Sequence, residues 1–171
     1  VFLTDDDRIP DPMPAVRMLP RGTLVILRAR QRSRRVVLAA AISLAARQRD
    51  LYWLVAGDPE LATRAGADGV HFAEARIAEA HRWRALRAGW FITCAAHSLG
   101  ACARVARAGA NAALLAPVFP TPSHIDGKTL GPLLLRMVAR QSPVPVYALG
   151  GIDNGTAKRL GGAKLAGLAA V

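Results

Sequence analysis

Arg28 and Arg30 stand two residues apart at the end of the apolar run 23–27, so in an extended chain they leave on the same face as Ile26. Two guanidinium forks converging on one point suit a diphosphate, which accepts paired N–H donors from each. A solvated charge run is the competing reading, because Arg32, Arg34 and Arg35 continue it. His97 follows another apolar run and shares a face with Ala95, opposite Cys94 and Ala96. An imidazole at such a strand end can give and take a proton near neutral pH. The stretch 111–121 ends in Pro117, Phe119 and Thr121 and continues through Ser123, His124 and Lys128 to Gly131. Hydroxyls and a flexible lysine there suit an anionic substrate, although a loop is polar in any case. The stretch 145–152 ends in Gly150-Gly151, where bare backbone lets amides approach a phosphate, and Asn154 is placed to start a short helix with its positive end nearby. His71, inside Val70-His71-Phe72, reads as a packed histidine satisfied by a neighbour, and Asp5-Asp6-Asp7 as a solvated turn or a rim group. Asp58 alone follows the third apolar run, and no His/Cys/Asp cluster has ligand spacing.

These residues need strand ends to hold them. Apolar runs alternate with helical patterns along the whole chain, which predicts βα units around a parallel sheet. Strands are expected at residues 1–4, 23–27, 52–56, 69–72, 90–95, 112–116, 144–149 and 165–171, with helices at 14–19, 34–49, 59–65, 77–87, 99–108, 130–140 and 155–160. Gly66, Gly89, Gly109 and Gly161 are placed as left-handed helix stops, and Asp58, Ser98 and Asn154 as helix starts. Ala65-Gly66-Ala67 and Ala108-Gly109-Ala110 mark one helix-to-strand turn used twice, and Gly162-Ala163 echoes it. Eight such strands favour a compact (β/α)8 TIM barrel of α/β class over an open sheet, with functional groups at the carboxyl ends of the strands. No helix pattern follows the eighth strand, so the last helix is expected to be missing or truncated.

The chain has 171 residues and 52% hydrophobic content, enough for a single compact domain spanning 1–171. Its net charge of +11 raises a nucleic-acid role, but the arginines are spread over helical segments and only 5% of residues are aromatic. The expectation is no nucleic acid as partner. No apolar stretch reaches the length of a membrane span and no signal peptide is visible, which predicts a cytoplasmic protein without a membrane partner. Val1 in place of Met suggests a missing extreme N-terminus. Cys94 and Cys102 are expected as reduced thiols.

Taken in order, Val1-Phe2-Leu3-Thr4-Asp5, Leu27-Arg28, Gly66-Ala67-Asp68-Gly69-Val70-His71, His97-Ser98, Gly109-Ala110, Pro117-Val118-Phe119-Pro120-Thr121 and Ala148-Leu149-Gly150-Gly151-Ile152 resemble the thiamine phosphate synthase family, which includes the thiazole tautomerases. The resemblance implies a transferase that joins hydroxymethylpyrimidine diphosphate to a thiazole phosphate and releases diphosphate. It implies that Arg28 is the family arginine, that Arg30 stands where a lysine is usual, and that Asp58 holds one Mg²⁺ position. It further implies that Thr121 and Ser123 lie near the thiazole and that Gly150 and Gly151 bind its phosphate. Several positions depart from the pattern: Ile26 for glutamine, Gly57 for asparagine, Ala95 for serine, His124 for lysine, and Arg76 for the second Mg²⁺ aspartate. An arginine cannot ligate a cation, so the implied Mg²⁺ site is at best half present, and Arg76 is a candidate fixed charge in its place. The resemblance leaves two alternatives: a thiazole tautomerase using His97 as acid and base, and a non-catalytic paralogue that binds a thiazole or phosphate. A homo-oligomer is compatible with all three.

Overall fold

The structure, a computed structural model, describes residues 1–121 and 128–171. Elements alternate as β1 (Phe2–Leu3), α1 (Met13–Met18), β2 (Leu24–Leu27), α2 (Arg32–Arg49), β3 (Tyr52–Ala56), α3 (Pro59–Ala65), β4 (Gly69–Phe72), α4 (Ile77–Leu86), β5 (Phe91–Ala96), α5 (Leu99–Arg107), β6 (Ala112–Leu115), α6 (Gly131–Gln141), β7 (Val146–Leu149), α7 (Asn154–Ala157) and β8 (Gly167–Ala169). The sheet runs in sequential order from β1 to β8. This is the (β/α)8 barrel class that the alternating runs predict. The chain divides into two compact units, one of Val1–His71 with Gly89–Phe91 and Val171, the other of Phe72–Ala88 with Ile92–Ala170.

In the first unit, β2 and β3 pair in parallel with Val25 opposite Trp53 and Leu27 opposite Val55. Those four side chains pack with Met13 and Val16 of α1, Leu38, Ile42 and Ala46 of α2, and Leu61 and Ala62 of α3. The alternate residues Ile26 and Leu54 are also fully buried. Burial of both faces is why these strands read as unbroken apolar runs, each enclosed aliphatic side chain contributing roughly 1.5–3 kcal/mol over exposure. The α2 residues in this core recur at helical spacing, so one face of an arginine-rich helix anchors it while the other meets solvent.

In the second unit, β5 pairs with β6, β6 with β7 and β7 with β8, all parallel. The helix faces turned inward are Ala101, Cys102 and Val105 of α5 and Leu135, Val138 and Ala139 of α6. The twice-used turn has one geometry. Gly66 and Gly109 take left-handed φ values of 68° and 74°, after which Asp68 and Asn111 each accept a strand amide, from Trp53 at 2.8 Å and from Ile92 at 2.8 Å. The polar residue two places past the glycine therefore stitches each helix end to the preceding strand.

Asp58 and Ser98 cap α3 and α5 as expected, accepting the amides of Leu61 and Ala101. Asn154 does not cap α7. Asp153 holds the extended backbone that a cap requires, and its carboxylate accepts from Gly155 and Thr156 while the Thr156 hydroxyl accepts from Asp153 N–H. Gly89 and Gly161 are not left-handed stops either: α4 ends at Leu86, and the positive φ near the second falls on Gly162.

Candidate active site

Within the first unit, Thr4 fixes the point where β2 ends. Its buried hydroxyl accepts from the Arg28 amide at 2.8 Å and donates to the Arg28 carbonyl at 2.9 Å. The guanidinium of Arg28 pairs with Asp5, Arg30 with Asp7 at 2.6 Å, and Arg34 with Asp6 at 3.0 Å in an ion pair whose N–H is not aligned for a hydrogen bond. Asp6 also accepts the Arg30 amide at 2.8 Å. The acidic run is thus interleaved with the arginines as a ladder of pairs, where the sequence predicts a solvated turn or a rim group. Asp5 is buried. Burial alone would raise its carboxyl, but the Asp7 amide, the Arg28 charge and the Arg8 amide outweigh it and hold it below the ordinary range. Arg28 and Arg30 remain 56% and 77% exposed at the side chain; the Arg30–Asp7 pair is open on both sides and of the weak surface kind that a ligand anion can replace, whereas Arg28 pairs with the buried Asp5.

Asp58 is already occupied. One carboxylate oxygen accepts the Leu61 amide at 2.9 Å and the other lies 3.4 Å from Arg35, whose fork also donates to the Ala29 carbonyl. Among the described residues no group of three His, Cys, Asp or Glu assembles around a common point. A lone carboxylate that caps a helix and faces a guanidinium does not fit the Mg²⁺ position that the resemblance implies. His71 is half-buried, and desolvation followed by the Arg28 charge lowers it to about 4, so it is neutral at physiological pH.

Within the second unit, His97 directly follows β5 and its ring is exposed. Its Nδ1 lies 2.6 Å from the Ala116 carbonyl oxygen. A carbonyl only accepts, so Nδ1 carries the proton in that contact and Nε2 is left with the lone pair when the ring is neutral. The Ala116-Pro117 peptide is cis. The loop that leaves β6 returns to it, the amides of Leu130 and Gly131 donating to the carbonyls of Pro117 and Val118 at 3.0 and 2.9 Å. Lys128, two residues before Leu130, is exposed. Thr121 is buried, and its hydroxyl has no hydrogen-bond partner among the described residues. Ser123 and His124 lie outside the described residues.

Gly150 and Gly151 have φ values of 97° and 65°. A Cβ at Gly150 would sit 2.9 Å from Pro117 Cα, and one at Gly151 would sit 2.7 Å from both Phe119 Cβ and the Pro120 oxygen. Their amide and carbonyl neighbours are tied to the same loop, Val118 donating to the Leu149 carbonyl and Phe119 to the Gly150 carbonyl. The double glycine therefore has a packing cause. The helix start beyond it is less open to an anion than the sequence implies, because the Asp153 carboxylate occupies the Gly155 and Thr156 amides. His97, Thr121, Lys128, Gly150 and Gly151 are thus grouped about the end of β6 and its loop.

Arg76 forms a two-pronged pair with Glu79, at 2.5 and 2.7 Å, and lies over the Phe72 ring at 5.6 Å. The Arg76 hydrogen bond is the main cause holding the Glu79 carboxyl below its ordinary value. Sequence reasoning gives no role of their own to Thr4, Glu74 and Asp153. Thr4 and Glu74 act through partners 24 and 23 residues away, a separation at which no local pattern operates. Cys94 and Cys102 are buried free thiols; burial pushes Cys94 up to about 12 and raises Cys102 as well, which disfavours the thiolate in both.

The family model described as thiamine monophosphate synthase matches residues 4–171. A thiamine-phosphate synthase of Albidiferax ferrireducens is 34% identical over 158 residues, covering 87% of this chain and 69% of that protein. A relative from Geobacter sulfurreducens is also 34% identical, over 66% of this chain, and the match spans 53% of that protein. Among solved structures, a thiamine phosphate pyrophosphorylase from Pyrococcus furiosus superposes with a TM-score of 0.84 at 23% identity, over 99% of this chain and 83% of that one, a likeness of fold. The order of strands, the residues at their ends and the match across residues 4–171 lead to one assignment: the chain belongs to the thiamine monophosphate synthase family.

Proposed function

We propose that the protein couples hydroxymethylpyrimidine diphosphate with a thiazole phosphate, giving thiamine phosphate and diphosphate. The observation that carries this reading is the exposed pair Arg28 and Arg30 at the carboxyl end of β2, in a chain of this family. As the pyrimidine methylene–oxygen bond breaks, its electron pair leaves with the diphosphate and the methylene becomes electron-poor. Two fixed guanidinium groups stabilise that leaving charge without a proton transfer. In the reading, Asp5 and Asp7 release the arginines to the incoming anion, Lys128 and the Gly150-Gly151 turn serve the thiazole phosphate, and Thr121 borders the ring.

A second reading, thiazole tautomerase, is favoured by one specific observation: the Nδ1 contact to Ala116 leaves Nε2 of His97 as a proton carrier, while Asp58 does not fit a metal. The two are separated by supplying both substrates with and without Mg²⁺ and, in parallel, a thiazole carboxylate phosphate alone. Thiamine phosphate formation that falls at least about 100-fold in Arg28→Met supports the synthase. Aromatisation of the thiazole alone, lost in His97→Ala by about 10²–10⁴-fold, supports the tautomerase. Neither turnover in the wild type overturns both and leaves a binding protein.

A further inference from the structure

We propose that Glu74 is the positioning residue of His97, an inference that rests on the reading of His97 as a proton carrier. Glu74 opens the short turn Glu74–Arg76 that follows β4, and its carboxylate spans two other elements. One oxygen accepts the main-chain N–H of His97 at 2.9 Å, and the other accepts from Arg104 of α5 at 2.5 Å. The carboxylate side chain is only 25% exposed, whereas the histidine it holds is open to solvent.

His97 lies between the last residue of β5 and Ser98, the cap of α5, so its backbone is the hinge between strand and helix. The ring is held by a single described contact, the 2.6 Å approach of Nδ1 to the Ala116 oxygen. Ala116 is itself tied to β5, its amide donating to the Ala96 carbonyl at 3.0 Å. Glu74 closes this arrangement from the backbone side: with the amide anchored, the imidazole pivots only about its own side-chain bonds, and the Nδ1 contact fixes those. Nε2 then holds its lone pair in one orientation. Arg104 keeps the carboxylate aimed at the His97 amide, so the α5 helix contributes to the placement. A displacement of about 1 Å in a catalytic group can cost about 100-fold in rate, which sets the expected scale.

The test uses two readouts on the intact chain. Ring ¹⁵N shifts of His97 report the tautomer without any turnover. Wild type and Glu74→Gln, which keeps an acceptor for the amide, should show one Nδ1–H tautomer, and Glu74→Ala should show a mixture. In whichever of the two assays the protein turns over, Glu74→Ala should lower kcat by about 10- to 100-fold with KM unchanged, Glu74→Gln should restore it to within about threefold, and Glu74→Ala should add nothing in a His97→Ala background. Glu74→Leu, which preserves volume without an acceptor, replaces the alanine variant if that one does not fold. A single tautomer in Glu74→Ala, or an equal loss of kcat in both backgrounds, overturns the proposal. If His97→Ala keeps full turnover, the functional reading falls while the tautomer measurement still decides whether Glu74 orients the ring.

Discussion

Asp5 and His71 are single residues whose ionisation the fold has altered in ways that sequence could not forecast. His71 is lowered from 6.5 to about 4, first by desolvation and then by Arg28. The unfolded chain therefore takes up a proton that the folded chain refuses, and stability should fall as the pH drops from about 6.5 towards about 4. Asp5 behaves in the other window. Its folded carboxyl lies below the ordinary 3.8, so its contribution is present above that value and is lost as the pH falls through the folded one. Urea unfolding midpoints measured from pH 7 to pH 3 should separate them. His71→Gln should flatten the upper part of the curve, by about 1 kcal/mol for a half-buried ring, and Asp5→Asn should flatten only the lower part. The candidate chemistry at this scale was readable: Arg28, Arg30 and His97 stand out by type and spacing. Their partners were not, because Asp5, Asp7, Glu74 and the Ala116 carbonyl reach them only once distant segments meet.

At the scale of elements, the runs and their punctuation carry most of the fold. Strands buried on both faces must be apolar throughout, and helix ends must satisfy their amides and carbonyls, so both leave marks that a reader can recognise. Asp58 and Ser98 obey that logic. Asp153 shows its limit: Asn154 is an equally good cap by type, and only the extended backbone at Asp153 selects between them. The Gly150-Gly151 turn shows another limit. Its glycines read as a phosphate cradle, yet the β6 loop packs against them so closely that any side chain would collide. Gly151→Ala should therefore destabilise the protein by about 1–3 kcal/mol in chemical denaturation, from the positive φ and the 2.7 Å approach to Phe119 and Pro120 together. An unchanged midpoint would show that the loop yields and that the packing account is wrong.

For the whole molecule, a net charge of +11 means that anions of any kind are drawn towards the surface. The attraction should act on encounter more than on chemistry. Raising NaCl from 10 mM to about 150 mM, where the screening length is about 8 Å, should lower kcat/KM for a phosphorylated substrate several-fold while kcat changes little, and an uncharged osmolyte should do neither. No described helix is long and apolar enough to cross a membrane. The sequence by itself determined the (β/α)8 class and the family, because periodicity, turn residues and ordered motifs are written in local stretches, and local stretches suffice to name strands, helices and their ends. Only the tertiary structure decided that the arginines are interleaved with aspartates, that Asp58, already legible as a helix start, also faces Arg35, and that Glu74 reaches His97. Those facts depend on which side chains long-range packing brings within 3–4 Å, a distance scale that no local pattern of residues encodes.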